Sequence, residues 1–325
     1  MAPLKLTLAS GLYDRMLPLY TGDVKPDGID LEFVRIDAPR EIFDRMAGEQ
    51  AFDVAEFSSS EFISRYVKGD RTFVAIPVFP SRIFRHGLVT VNRKSGVKTP
   101  KDLEGRRVGV PLYTMTAAIW IKGHFRHQFG CDIDKISWVQ GSINGDGAHG
   151  APTLMPLVKP VPIENKPEGV TLGDMLEAGD IDAIIGTSLP NAIRTNPDIV
   201  RMFPNYREIE KELYLTQKLF PIMHLVAIRR DVYERHPFIA QSLYDALNEA
   251  KRQAMEKMRS LVALRYMLPW MTADIDEIDE VFGGDPWPHG VEPNRPTLEA
   301  LMQYMHEQYL IEHTVPVDDL FVKVA

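Results

Sequence analysis

Two guanidinium groups and an imidazole fall close together in Pro77-Val78-Phe79-Pro80-Ser81-Arg82-Ile83-Phe84-Arg85-His86. Arginine offers a planar fork that matches a carboxylate, and histidine gains and loses a proton near neutral pH. Pro77 and Pro80 fix φ and remove backbone donors, which predicts an end to the apolar run Phe73 to Ile76 and an extended path beyond it. Along an extended path, alternation puts Arg82, Phe84 and His86 on one face: an anion fork, an aromatic wall and a proton carrier. The competing reading is a solvated basic turn whose arginines pair with surface acids.

The elements around this stretch read as α/β. Leu4, Leu6 and Leu8 alternate as a first strand ending at Ser10-Gly11, and Tyr13-Asp14-Arg15 opens a helix toward Leu19. Ile29, Leu31 and Phe33 alternate again. Ile42, Phe43 and Met46 form a helical face that Gly48 stops, and Phe52 to Ala55 returns as a strand into Glu56-Phe57-Ser58-Ser59-Ser60. Such a β-α-β-α-β rhythm predicts a largely parallel sheet, with ligands beyond the carboxyl ends of its strands where helix N-termini expose free N–H groups. Ser10 to Arg15, Glu56 to Ser60 and Arg82 to His86 all occupy that kind of position. At least one of Ser58 to Ser60 is expected to cap the helix Glu61 to Tyr66, leaving Ser58 or Ser59 to face a ligand.

A second α/β unit begins near Arg93. Thr99 to Gly105 reads as a capped short helix, Arg106 to Val110 as a strand, and Ala118, Ile121, Phe125 and Phe129 as one face of a helix. Tyr113, Thr114 and Thr116 put hydroxyls at the start of that helix, a second anion site. Leu225 to Ile228 reads as a strand returning to the first unit, followed by a long helix from Phe238 to about Arg259 and a last helix from Leu298. The expected division is a discontinuous first lobe, 1–92 plus 225–325, and a second lobe, 93–224, joined by hinge strands at Leu88–Asn92 and His224–Ile228.

Composition narrows the function classes. The chain has 325 residues, 45% hydrophobic and 25% charged, enough for two lobes each with its own core. With 37 Lys and Arg against 45 Asp and Glu, the formal charge of −8 argues against nucleic acid and anionic membrane as partners. The single cysteine, Cys131, excludes an internal disulfide and a cysteine-built zinc site. No secretion-type leader is apparent in Met1 to Ser10 and no apolar run suffices for a membrane span, so the expected setting is cytoplasmic. Gly145 to Gly150 fits GxGxxG by letter, but Pro152 and Pro156 follow too closely for a helix, and it reads as a flexible loop. His124 and His127 have metal-compatible spacing but read as exposed helix-face histidines without a third ligand. No metal site is assigned, and distant ligands leave metal use open.

Several stretches together resemble the 4,5-dihydroxyphthalate decarboxylase family, of the type 2 periplasmic-binding-protein fold. They are Tyr13-Asp14-Arg15, PVFPSRIFRH at Pro77 to His86, TPKDLEGRRVGVP at Thr99 to Pro111, YTMTAAIWIKG at Tyr113 to Gly123, FPIMHLVAIRR at Phe220 to Arg230 and DPWPHGVEPNRPTLE at Asp285 to Glu299. The blocks span almost the whole chain, and PVFPSRIFRH, the YTMTAAIW part of the fourth block and DPWPHGVEPNR are far more specific than TPKDLEGRRVGV. No family pattern matches Gly141 to Pro167.

The resemblance implies two lobes with an interlobe cleft that closes over a small aromatic dicarboxylate, and an enzyme of phthalate degradation that turns 4,5-dihydroxyphthalate into protocatechuate and CO2. Removing CO2 from an arene needs a proton delivered to the ring carbon that carries the carboxylate. On this reading Arg82 and Arg85 anchor carboxylate, His86 is the first choice of general acid and His224 the second, and Asp14 or Glu56 accepts the phenolic hydrogen bond. Tyr113, Thr114 and Thr116 hold the second carboxylate, and no organic cofactor is required. The plainer readings are a backbone-bridging His86, a satisfied buried His224, a local Asp14–Arg15 pair and a packing role for Trp287. A solute-binding protein for a small aromatic or dicarboxylate ligand is the alternative function, and a homo-oligomer is left open.

Overall fold

In the computed structural model, residues 2–145 and 156–325 are described. All but the first glycine of the GxGxxG-like loop lie outside them. In chain order the elements are β1 (Leu4–Ser10), α1 (Leu17–Thr21), β2 (Ile29–Arg35), α2 (Pro39–Glu49), β3 (Val54–Ser58), α3 (Ser59–Val67) and β4 (Phe73–Arg82). Next come β5 (Thr90–Asn92), β6 (Arg107–Val110), α4 (Thr116–Phe129), β7 (Ser137–Gln140), β8 (Ile163–Asn165), α5 (Leu172–Ala178), β9 (Ala183–Ile184), β10 (Ile199–Arg201) and α6 (Tyr206–Gln217). The chain closes with β11 (Ile222–Arg229), α7 (Arg230–Arg235), α8 (Phe238–Arg259), α9 (Met271–Phe282) and α10 (Arg295–Glu307).

The chain divides into two compact units, one of Met1–Arg82, Ile222–Leu298 and Val315–Ala325, the other of Ile83–Pro221 and Glu299–Thr314. The first is built on a sheet ordered β2-β1-β3-β11-β4, in which β1 pairs parallel with β2 and β3 while β11 runs antiparallel to β3 and β4. Its core joins Leu6, Leu8 and Val54 on the strands to Ile239, Leu243, Leu247 and Ala250 along one stripe of α8. The second is built on a sheet ordered β10-β5-β9-β6-β7-β8, with Val139, Leu172, Leu176 and Ile184 in its core. These boundaries differ from the expected ones. β5 is an interior strand of the second sheet and β11 an interior strand of the first, so neither segment proposed as a hinge strand stands apart from a sheet.

Three local expectations also change. The prolines do not end the run Phe73 to Ile76: β4 continues through Pro77 and Pro80 to Arg82, because it is an edge strand where a missing N–H breaks no ladder. Gly48 lies inside α2, which is ended instead by Gln50 in the left-handed conformation, φ 51°. The helix expected from Tyr13 begins at Leu17, after a turn in which Met16 N–H bonds the Tyr13 carbonyl. No helix among the described residues is long and apolar enough to cross a membrane.

Candidate active site

The sheet of the first unit brings three polar residues of its central strands to one face. Ala9 lies opposite Ala55 across β1 and β3, which places Ser10 beside Glu56. Val226 lies opposite Glu56 across β3 and β11, and His224 is two residues away on the same face, opposite Ser58. The pairing of β11 with β4 is irregular on both sides of His224. Such bulges re-aim side chains near functional positions.

Glu56 is fully buried and accepts four hydrogen bonds. Oε2 takes the Ser10 hydroxyl at 2.8 Å and the Gly11 N–H at 3.2 Å, and Oε1 takes the Tyr13 hydroxyl at 2.8 Å and His224 Nδ1 at 2.5 Å. Burial pushes this carboxyl up, but the bonds from His224, Ser10 and Tyr13, together with the charge of His224, hold it below its usual range. The site therefore contains a carboxylate, not a carboxylic acid, at neutral pH. Burial and the neighbouring Glu56 push the Tyr13 phenol well up, so it stays a donor. Gly11 has no side chain because the Tyr13 ring folds back over it: a Cβ there would lie 3.0 Å from Cζ.

His224 is held edge-on against Phe43, with ring centres 4.9 Å apart, and its side chain keeps 16% exposure. With Nδ1 committed to Glu56, Nε2 is the nitrogen that can exchange a proton. A carboxylate behind Nδ1 fixes the orientation of the ring and leaves Nε2 free to act, the arrangement a general acid needs.

Beside this dyad, Arg15 lies between the rings of Tyr13 and Trp287, at 4.3 and 4.4 Å, and donates to the Pro80 carbonyl and, at 3.0 Å, to Asp14 Oδ1. The other Asp14 oxygen accepts from the Tyr266 hydroxyl at 3.1 Å. Asp14 thus serves Arg15 and Tyr266, and only Glu56 of the two candidate acids belongs to the dyad.

The stretch that opened the sequence analysis does not form one face. Arg82 ends β4 in the first unit, buried, with Nη1 on Asn294 Oδ1 at 2.7 Å and on the Pro288 carbonyl at 3.4 Å. Through Nη1 it ties down the loop before α10. Phe84, Arg85 and His86 belong to the second unit, where Phe84 stacks on Phe220 at 4.6 Å. His86 opens a short 3-10 turn, is buried, shares a 2.8 Å bond between Nε2 and Gln128 Oε1, and stacks on His124 at 4.9 Å. Those contacts leave it poorly placed for proton delivery. The Arg85 side chain is also buried but has no hydrogen-bond, ion-pair or ring partner among the described residues, and burial alone pushes its pKa down to about 10.

Ser58 caps α3, accepting the Glu61 N–H at 3.5 Å, while the buried Ser59 hydroxyl has no partner among the described residues. In the second unit Tyr113, Thr114 and Thr116 do precede and open α4. The Tyr113 N–H donates to Gln140 Oε1 at 2.8 Å, its carbonyl accepts Lys122 Nζ at 2.9 Å, and its ring lies 3.1 Å from the same nitrogen. Lys122 is buried without a carboxylate, and burial pushes its pKa well down. α4 is buried on every side from Thr116 to Phe125, so His124 is not the exposed histidine expected; it packs between His86 and Trp120. His127 pairs with Glu307 at 2.7 Å. Among the described residues no group of three His, Cys, Asp or Glu is placed to hold a metal ion.

Sequence reasoning did not single out Ser10 and Tyr13 as individual partners of Glu56, nor Lys122. A charged residue directly after the apolar run from Ala117 to Ile121 was the available signal for Lys122.

The same sequence is 33% identical over 322 residues to a 4,5-dihydroxyphthalate decarboxylase of Comamonas testosteroni, covering 99% of this chain and 97% of that one. The chain belongs to the 4,5-dihydroxyphthalate decarboxylase family. A second relative of that name, from Pseudomonas putida, is 36% identical over 191 residues, which is 59% of this chain and 73% of that one. A scan against family models finds no match. The crystal structure of the periplasmic aliphatic sulphonate binding protein SsuA from Escherichia coli superposes with a TM-score of 0.55 at 13% identity, covering 99% of this chain and 97% of that one. That likeness places the chain in the two-lobed periplasmic-binding-protein fold.

Proposed function

We propose that this chain is a carboxy-lyase that converts 4,5-dihydroxyphthalate to protocatechuate and CO2, with His224 as proton donor and Glu56 as the group that orients it. The observation that carries the reading is the Glu56–His224 dyad, a buried carboxylate on Nδ1 of a partly exposed histidine whose Nε2 is left to exchange a proton. Family membership supplies the substrate. The hydroxyl para to the departing carboxylate feeds electron density to the ring carbon that bears it. Nε2–H of the imidazolium protonates that carbon, the C–C bond then breaks with its electron pair returning to the ring, and carboxylate leaves as neutral CO2. One proton is consumed, and His224 regains it from solvent. Glu56 stays ionised throughout and holds the His224 ring in place through Nδ1.

Arg85, in the second unit, stays a candidate carboxylate binder: a buried guanidinium without a counter-ion is costly, and a bound carboxylate relieves that cost. Kinship with decarboxylases, not transport subunits, supports a cytoplasmic setting, which fractionation of the native cells checks.

The test is turnover of 4,5-dihydroxyphthalate followed by release of protocatechuate and CO2, with and without a chelator. His224→Asn is expected to lower kcat by roughly 10²- to 10⁴-fold, the usual contribution of a general acid, with substrate still bound. His86→Asn should keep kcat within a few fold if it folds. Tight binding without turnover by the wild-type chain would make it a solute-binding protein. A His224→Asn variant at wild-type rate would remove the proton donor named here.

A further inference from the structure

Two stretches that the mechanism leaves unused, Tyr13-Asp14-Arg15 and Trp287-Pro288-His289, come together at Arg15 in the first unit. The Arg15 guanidinium lies between the Tyr13 and Trp287 rings, 4.3 and 4.4 Å from their centres. Its Nε donates to the Pro80 carbonyl at 2.7 Å and its Nη1 to Asp14 at 3.0 Å. Trp287 is fastened in turn: Nε1 donates to the Phe79 carbonyl at 2.9 Å, and its own carbonyl accepts Lys251 Nζ at 3.1 Å. The Tyr13 ring also lies over Gly11, where a Cβ would come within 3.0 Å of it. At the end of this stack the Tyr13 hydroxyl donates at 2.8 Å to Oε1 of Glu56, the same oxygen that holds His224 Nδ1.

We infer that Tyr13 is a positioning residue for the decarboxylation, its hydroxyl fixed by the Arg15–Trp287 stack so that it holds the Glu56 carboxylate against His224. The inference rests on the Glu56–His224 reading of the reaction. The Ser10 hydroxyl and the Gly11 N–H hold Oε2, so Tyr13 is the donor that shares Oε1 with the histidine. Each donor that favours the charged carboxylate keeps a proton off it. Burial and Glu56 push the Tyr13 phenol well up, so it remains a donor. The other charges nearby do not replace it. Arg15 acts on Glu56 by charge, with no hydrogen bond between them, and Asp14 faces Arg15 and Tyr266. Asp37, after β2, acts on Tyr13. Arg40 of α2 pairs with Asp44 and with Glu61 of α3, and Arg65 pairs with Glu61 and Asp70. Without the Tyr13 hydroxyl, Glu56 takes up a proton at higher pH and then no longer holds Nδ1 as a carboxylate does.

Tyr13→Phe keeps the ring and removes only the hydroxyl. With 4,5-dihydroxyphthalate, kcat is expected to fall roughly tenfold, the effect of losing one hydrogen bond to a charged group, with KM within a few fold. The acid limb of the kcat–pH profile should move to higher pH, which a merely structural role for Tyr13 would not cause; the substrate's own ionisation is the same for both proteins. Trp287→Leu, which leaves the hydroxyl and every charge in place, should lower kcat in the same direction by a smaller factor. A second measurement needs no turnover. Tyr13→Phe should be less stable than wild type at neutral pH, and the gap should shrink as pH falls through the folded pKa of Glu56, where the stability conferred by a lowered carboxyl pKa is lost. Wild-type kcat with an unmoved acid limb in Tyr13→Phe, a stability gap independent of pH, or a wild-type rate in Trp287→Leu overturns this inference while His224→Asn still loses turnover. A wild-type rate in His224→Asn removes the dyad from the reaction, and the inference with it.

Discussion

Glu56 ties the stability of the first unit to pH on the acid side. Its folded pKa is below the ordinary 4.5, so folding favours its ionised form. The stability this confers is complete above the unfolded pKa and disappears as pH falls through the lower, folded one. Glu56→Gln keeps the shape but cannot ionise. Chemical denaturation should therefore find the wild type more stable than Glu56→Gln by roughly 1–3 kcal/mol at neutral pH, with the gap closing only below about pH 4.5. A gap that stayed constant into strong acid would mean that Glu56 is protonated in the folded protein. Arg85 gives the opposite sign. Replacing a buried cation that lacks a counter-ion with glutamine should leave the free protein as stable or more so, read by thermal denaturation. The sequence named Glu56, His224 and Arg85 among its candidates. It ranked His86 and Arg82 above them because burial and partners such as Gln128 and Asn294 come from residues 42 and 212 positions away. No local spacing contains that.

At the scale of elements, β4 explains how a loop can be attached to a strand that two prolines interrupt. The Phe79 N–H is taken by His289 Nδ1 at 3.3 Å, the Phe79 carbonyl by Trp287 Nε1 at 2.9 Å, and the Pro77 carbonyl by the Gly290 N–H at 2.8 Å. Burial keeps His289 neutral and so able to accept. Pro77, Pro80 and the Trp287-Pro288-His289-Gly290 run were both visible in the sequence as unusual stretches; that each exists to satisfy the other was not. α4 makes a sharper case. Its buried Gly123 reads as a weak point in a helix, but a Cβ there would lie 2.1 Å from Cδ2 of Tyr304 on α10. Tyr304 cannot swing away, being edge-on to Trp120 at 5.5 Å and stacked on His127 at 4.9 Å. Gly123→Ala gains about 1 kcal/mol of helix propensity and loses more to overpacking. A net loss of roughly 1–2 kcal/mol in unfolding free energy, read from denaturant titration, is expected, where helix propensity alone would give a rise.

For the molecule as a whole, the alternation of strand and helix made two α/β units legible, since hydrophobic period is a local property. The assignment of the C-terminal helix was not, because it depends on what a face meets. α10 begins in the first unit, but residues from Glu299 to Thr314 belong to the second. There Gln308 Nε2 donates to the Ile119 carbonyl at 2.9 Å, Glu307 holds His127, and Tyr304 covers the α4 face at Gly123 and Trp120. A contiguous piece spanning 83–221 therefore lacks part of its own core. Expressed alone it should keep far-UV helix signal, lose near-UV aromatic signal and bind a hydrophobic dye, as a loosely packed state does. Joined through a flexible linker to residues 299–314, the same piece should regain near-UV structure and a cooperative thermal transition. A cooperative transition in the isolated 83–221 piece would mean that the α10 contacts add little to that unit.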